Sequence, residues 1–173
     1  TQLGLTRRFW NNSSFTSTLF LDYKDVIPEP DEGQEITIYD QLPPNNGLGK
    51  TALIGPKIEL DIDFRDNSSF PTRGMQFTLE NYTFLNGTVE EKIGGRVQST
   101  LSAFITKGIK IPVTLSLKGG FSTAYGNTPF YYKSYLGQQH NHRGLLRNRF
   151  GGETAVWLNT DLRFHFGTLA TSI

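Results

Sequence analysis

The chain has 173 residues, with 17 Lys and Arg against 16 Asp and Glu, and no Cys. That length suits one domain, and the near-neutral charge argues against a general nucleic-acid binder. The lack of Cys excludes a disulfide scaffold, a thiolate zinc site and a Cys nucleophile. Hydrophobic residues make up only 36%, yet aromatics reach 13% and Gly numbers 18. This is the composition of a β-protein with one wet face and one apolar face. No apolar run is long enough for a transmembrane helix. The first residue is Thr1, not Met, which reads as a processed, trimmed or fragment edge.

A helical period is nowhere convincing, whereas a period of two recurs. In chain order, Leu3 to Trp10 is the poorest strand candidate. Phe15, Leu19, Leu21 and Tyr23 then alternate with Thr16, Thr18, Asp22 and Lys24. The clearest case is Pro56 to Arg65. There Ile58, Leu60, Ile62 and Phe64 point one way and Lys57, Glu59, Asp61, Asp63 and Arg65 the other. Met75, Phe77 and Leu79 follow, then Val97, Leu101, Ala103 and Ile105, then Ile111, Val113, Leu115 and Leu117. The last strand runs through Val156, Leu158, Leu162, Phe164 and Phe166, opposite Trp157, Asn159, Asp161, Arg163 and His165. The total is about seven strands of roughly 9–13 residues, long enough to cross a bilayer at a tilt. Gly119-Gly120 reads as a flexible spot or a kink covered by an aromatic ring.

The predicted connections alternate in length. Short turns fall at Asn11 to Ser13, Asn67 to Gly74 and Lys107 to Lys110. Long ones span Ile27 to Lys50 and Gly126 to Gly152, with an intermediate one from Leu85 to Gly95. Outer-membrane barrels have this pattern, with short turns on one side and long loops on the other. The expected fold is therefore all-β, an antiparallel transmembrane β-barrel. In lipid every backbone group needs a partner, so strands cross only as a closed barrel. About seven strands with two free edges read as a portion of a larger barrel.

Two segments resemble a known family. Asp63-Phe64-Arg65-Asp66, followed by Pro71 and Gly74, resembles the strand–turn–strand signature of the bacterial surface antigen barrels. This is the outer-membrane assembly superfamily that includes BamA, TamA and the two-partner secretion transporters. Leu136-Gly137, His142-Arg143-Gly144-Leu145, Arg147-Asn148-Arg149-Phe150-Gly151-Gly152 and Asn159 to Arg163 look like its long loop that folds into the lumen, and the strand after it. Gln138, His142, Leu145 and Asp161 depart from the family wording, while Arg143-Gly144 keeps it. The resemblance implies a sixteen-stranded barrel of which residues 1–173 form a middle portion, with further strands after Ile173 and periplasmic repeats before Thr1. The wording around Arg147 to Phe150 looks more like that of barrels of the Bacteroidota type.

The resemblance also supplies functional expectations. Arg143 would dock in the lumen by charge-assisted bonds to an acidic residue of later strands. Asp161 and Glu153 are lesser partners within the chain, and Arg163 is a further lumen-facing candidate. Asp63, Arg65, Asp66, Pro71 and Gly74 read as a structural cluster that ties down a turn. His140, His142 and His165 lack the spacing of a metal site, so no metal and no cofactor is expected. No catalytic motif is present. The implied location is the Gram-negative outer membrane, with lipid and lipopolysaccharide around the barrel. The implied activity is non-enzymatic insertion or export of outer-membrane proteins, with client proteins and accessory lipoproteins as partners. The alternatives are a barrel anchor for an upstream phosphoesterase or patatin-like lipase, and a simple diffusion porin.

Overall fold

The computed structural model describes residues 1–10, 12–27, 47–87, 93–108, 111–137 and 150–166. Among them are β1 (Gln2–Phe9), β2 (Ser13–Val26), β3 (Gly49–Asp63), β4 (Gly74–Asn86), β5 (Ile93–Lys107), β6 (Val113–Gly126), β7 (Ser134–Leu136), β8 (Phe150–Gly152) and β9 (Thr154–Phe164). A single 3₁₀ turn, η1, covers Phe130–Tyr132. Seven strands form one sheet in the order β1-β2-β3-β4-β5-β6-β9, and β7 pairs with β8 apart from it. Every pairing in the large sheet is antiparallel. The sheet is thus a meander, with the β7–β8 pair set into the connection between β6 and β9. No helix among the described residues is long and apolar enough to cross a membrane.

All seven predicted strands form, but several are longer than the periodicity indicates. β3 begins at Gly49 rather than Pro56, and β4 and β6 continue to Asn86 and Gly126. The predicted strict alternation of short and long connections does not hold. Strand β5 starts at Ile93, so the β4–β5 connection, residues 87–92, is shorter than the β3–β4 turn, residues 64–73. The sequence counted the ends of β4 and β5 as loop because Gly87, Gly94 and Gly95 flank the connection.

The register places the apolar residues of all seven strands on one face. One row of paired residues runs Phe15, Leu60, Leu79, Ser99, Phe121, Val156. Leu19, Leu21, Ile54, Ile58, Leu101, Ile105, Leu117, Leu158 and Leu162 share that face, and each is exposed. The opposite face carries the polar and charged residues, and it holds nearly all the buried strand positions, including Thr18, Asp63, Ser102, Thr114, Ser116 and Ser122. On β9 the contrast is direct: Val156 and Leu158 are 71% and 70% exposed, while Trp157 between them is 5% exposed. A soluble domain buries its aliphatic side chains and exposes its charges. Here the two are exchanged, and the apolar patch spans a whole sheet face.

The strand ends are staggered. From the Phe15–Val156 row, β2 continues to Val26 while β9 reaches only Thr154. At the other end β2 stops at Ser13 while β9 runs on to Phe164. The ends therefore shift by roughly 6–9 residues between β2 and β9, which at about 3.3 Å per residue and about 4.8 Å between strands is a tilt of about 40–50°. Membrane barrels tilt their strands by about 35–45°. At such a tilt the 14 residues of β2 rise about 30 Å, enough for the apolar band of an outer membrane.

Glycine is used where rings need room. Gly120 pairs with Trp157, whose indole lies where a Cβ would be, 2.5 Å away. Of the glycine pair read as a flexible spot or an aromatic-covered kink, Gly120 is therefore covered by Trp157, while Gly119 lies on the other face against Leu158. An aromatic ring over a strand glycine restores the packing the missing side chain leaves out.

Candidate functional site: two straps across the polar face

The polar face is crossed at each end by a connection that folds over it. At one end lies the turn between β3 and β4, the segment that carries the family-like signature. Arg65 grips Asp63 with both arms of its guanidinium, Nε to Oδ1 at 2.8 Å and Nη2 to Oδ2 at 2.7 Å. Its backbone N–H also donates to Asp63 Oδ1, at 3.0 Å, and its Nη1 reaches the Ser68 carbonyl at 3.2 Å. Asp63 is buried, and its own N–H donates to Ser13 Oγ at 2.9 Å, linking the turn to β2. A planar fork on a carboxylate is the geometry only Arg supplies.

Asp66 organises the rest of the turn. Its Oδ1 accepts the N–H groups of Asn67, Thr72 and Arg73, and its Oδ2 accepts the Thr72 hydroxyl. Asn67 Oδ1 adds the N–H groups of Ser69 and Phe70. Gly74 closes the turn with φ +102°, and a Cβ there would lie 2.1 Å from the Phe64 carbonyl oxygen. Asp63, Arg65, Asp66 and Gly74 thus act together as a structural clasp, and Pro71 presents its carbonyl outward from it.

The clasp reaches across the sheet to β9. Arg163 Nη1 donates to the Pro71 carbonyl at 3.3 Å, and its guanidinium stands 5.1 Å from the Phe70 ring centre. Phe70 meets the His165 ring edge-on at 5.8 Å. A hydroxyl relay completes the tie. Thr106 Oγ1 donates to the Thr72 carbonyl, lies 2.6 Å from Thr114 Oγ1, and Thr114 Oγ1 lies 2.8 Å from His165 Nε2. A carbonyl only accepts, so the Thr106 proton is committed to Thr72. Thr114 must then donate to Thr106, and His165 must donate from Nε2 to Thr114. The relay fixes the His165 tautomer.

The carboxyl of Asp66 is held down to about 2 by the Thr72 hydroxyl and the turn N–H groups that favour its charged form. A lowered folded-state value stabilises above the unfolded value of about 3.9 and is lost as pH falls through about 2. The turn is therefore expected to stay closed at pH 5 and to loosen only between about pH 4 and pH 2. Carboxyl chemical shifts of Asp66 followed by NMR titration check this, and Asp66→Asn should remove that pH dependence.

At the other end, the start of the β6–β9 connection forms the second strap. Thr128, buried, receives the Gly95 N–H at 3.1 Å and lies 3.1 Å and 2.7 Å from the Gly95 and Tyr125 carbonyls, pinning the strap to β5. Beyond it, η1 places Tyr131 and Tyr132 against Phe20, Leu53 and Phe84 of β2, β3 and β4. The Tyr132 hydroxyl donates to Asp22 Oδ2 at 3.1 Å, and Lys24 stands 3.2 Å from Asp22 and 4.2 Å from the Tyr131 ring centre. Burial and the nearby Asp22 charge push the Tyr132 phenol well above its ordinary value. Tyr132→Phe should cost about 1 kcal/mol through the bond to Asp22, read as a shift in the urea midpoint of unfolding.

Between the straps lies a polar hollow of about 370 Å³ with Ser14, Thr16, Glu59, Asp61, Glu80 and Gln98 in its lining. Glu59 and Glu80 face each other across β3 and β4. Like charges in that position repel, and Lys57 answers both, at 2.7 Å and 3.3 Å. Arg96 adds a third contact, 3.3 Å from Glu80. Charges on this face are thus paired side by side, as in a wet interior rather than a dry core.

The remaining predicted residues divide in two. Gly137, with φ +97°, follows β7, and Phe150 opens β8 opposite Leu136. Asp161 and Arg163 lie on the polar face of β9, as expected. Glu153 stands exposed between β8 and β9, where its carbonyl accepts the Ala124 N–H and the Ser134 hydroxyl. Arg143, Gly144, Leu145 and Arg149, with His140 and His142, lie outside the described residues. No group of His, Cys, Asp and Glu able to hold a metal occurs among the described residues. The sequence does not single out the strap residues Thr128, Tyr131 and Tyr132, and it places their partners Asp22 and Lys24 only on the polar side of a strand. Their signal was the Pro-Phe-Tyr-Tyr run inside an otherwise polar loop. In comparisons with known proteins, no family model, no curated protein and no solved structure matches the chain significantly.

Proposed function

We propose that this chain is a portion of an outer-membrane β-barrel of the assembly and translocation superfamily, seated in the Gram-negative outer membrane. The observation that carries the reading is the exchange of faces: seven tilted strands expose their aliphatic side and turn their paired charges to the other. Lipid would solvate the first face, and a wet lumen the second. The superfamily reading adds the Asp63–Gly74 signature, folded as one clasp, and a long connection whose first part lies over the polar face. The barrel would have sixteen strands, close with strands outside residues 1–173, and act without bond-breaking chemistry of its own. Lipid and lipopolysaccharide would surround it, and client outer-membrane proteins and accessory lipoproteins would meet it.

Depletion of the protein in its own cells tests this. The expected result is a fall in folded, heat-modifiable outer-membrane proteins with unfolded precursors retained in the periplasm. Unchanged levels, together with a phosphoesterase or lipase segment upstream of Thr1 in the native chain, would assign it instead to anchoring an enzyme.

A further inference from the structure

Resting on the membrane reading above, we infer that the rim around the β1–β2 turn is a binding site for a phospholipid headgroup, with Arg7 as its phosphate ligand and Trp10 as its interfacial anchor.

The register places Arg7 on the apolar face, opposite Phe15 and two residues from Leu5 and Phe9. In β1 to β9 that face otherwise carries charge only near strand ends, at Lys107 and at Asp25 and Lys50, which stand opposite each other. Lys107 ends β5 at the same rim as Arg7, and Asp25 lies at the opposite rim, near the end of β2. The strand residues of the Arg7 rim are therefore basic on the outward side. A cation inside the edge of an apolar band is costly unless its head reaches the polar interface, and a long side chain near a strand end does so by extending toward it. The group waiting there is a lipid phosphate, which matches a guanidinium fork.

The neighbouring rings point the same way. Trp10 is the one non-glycine residue with positive φ among the described residues, at +28°. A bulky residue holds that conformation only where something fixes it. Its ring meets Phe64 edge-on at 5.3 Å, yet remains 71% exposed. Phe9 and Phe15 are exposed on β1 and β2 at the same end of the sheet, and Phe164 and Phe166, stacked at 6.1 Å, are exposed at that end of the opposite edge strand β9. In water these exposed rings would be an unfavourable surface. At the headgroup level an indole has its preferred setting, with an apolar body and a polar N–H.

The chain has two Trp residues, and Trp157 is buried on the polar face. The native chain with Trp157 and every Trp outside residues 1–173 replaced by Phe therefore reports Trp10 alone. It is reconstituted into phosphatidylcholine vesicles carrying bromine at shallow or deep acyl positions, and phosphatidylglycerol is titrated in. The expected result is strongest quenching by the shallow bromines and a Trp10 emission shift that saturates with phosphatidylglycerol. Arg7→Ala should raise the half-saturating amount about fivefold, and Arg7→Lys should restore part of it. Quenching of Trp10 by aqueous iodide alone would overturn the site, as would an unchanged titration in Arg7→Ala. A response to inorganic phosphate but not to the lipid would overturn it as well. A second reporter, Leu101→Trp in a chain lacking every native Trp, separates the two readings. If that reporter lies deep in the bilayer while Trp10 lies in water, the headgroup site fails alone. If both lie in water, the membrane reading fails with it.

Discussion

Leu101→Arg is expected to abolish stable membrane insertion, while Gln98→Arg, three residues earlier on β5, leaves it intact. Leu101 is on the apolar face, 50% exposed, between Phe77 of β4 and Gly119 of β6, near mid-strand. An Arg facing lipid at mid-depth costs about 2–4 kcal/mol in a barrel, a large part of the stability of a protein of this size. Gln98 lies on the polar face opposite Glu80, so a new cation there gains a carboxylate neighbour and should change stability by under about 1 kcal/mol. Urea unfolding from vesicles gives both numbers. The contrast also separates solvents, because an exposed Leu→Arg change in a water-soluble sheet is close to neutral and improves solubility.

Arg65→Ala is expected to lower stability by about 3–5 kcal/mol, the cost of leaving the buried Asp63 carboxylate without its fork. Arg65→Lys should recover only part, since an ammonium cannot bond both oxygens in one plane. The double change Asp63→Ala with Arg65→Ala should be milder than Arg65→Ala alone, because no unpaired buried charge remains. Gly74→Ala tests the backbone side of the same clasp. With φ at +102° and the Phe64 carbonyl in the way of a Cβ, it should cost about 2–3 kcal/mol. If the clasp ties the turn to β9, both Arg65→Ala and Gly74→Ala should also free the His165 ring, seen as exchange broadening of its NMR signals.

The strand centres near the clasp end were legible in the sequence because there the alternation is clean: aliphatic residues on one side, Lys57, Glu59, Asp61 and Asp63 on the other. Toward the other end the pattern fades for a structural reason. The strap through Tyr131 and Tyr132 covers the polar face there, so Phe20, Leu53 and Phe84 sit on the side that is otherwise hydrophilic. On the apolar side, Asn81 and Thr83 bond each other, and Thr83 bonds the Tyr125 hydroxyl, at 3.0 Å and 2.7 Å. Both departures erase the period of two, which is why the alternation in β3, β4 and β6 stops short of the strand ends that the predicted connections mark. The β7–β8 pair was invisible because three residues per strand carry no period. The clasp was recognisable from its Asp, Arg, Pro and Gly spacing, but its reach to Thr106, Thr114, Arg163 and His165 depends on register across three strands. No local spacing encodes that.

The central claim is that the aliphatic face of the sheet meets lipid and the charged face meets water. Residues 1–173 hold no Cys, so once any Cys elsewhere in the native chain is replaced, single spin labels can be set at successive positions of β6, through Leu115→Cys, Ser116→Cys, Leu117→Cys and Lys118→Cys. Power-saturation EPR of the membrane-embedded protein then compares oxygen with a water-soluble nickel complex as relaxing agents. Oxygen should dominate at 115 and 117 and the nickel complex at 116 and 118, a period of two in phase with the exposed and buried faces. Equal access of the nickel complex at all four positions, or alternation in the opposite phase, would contradict the account.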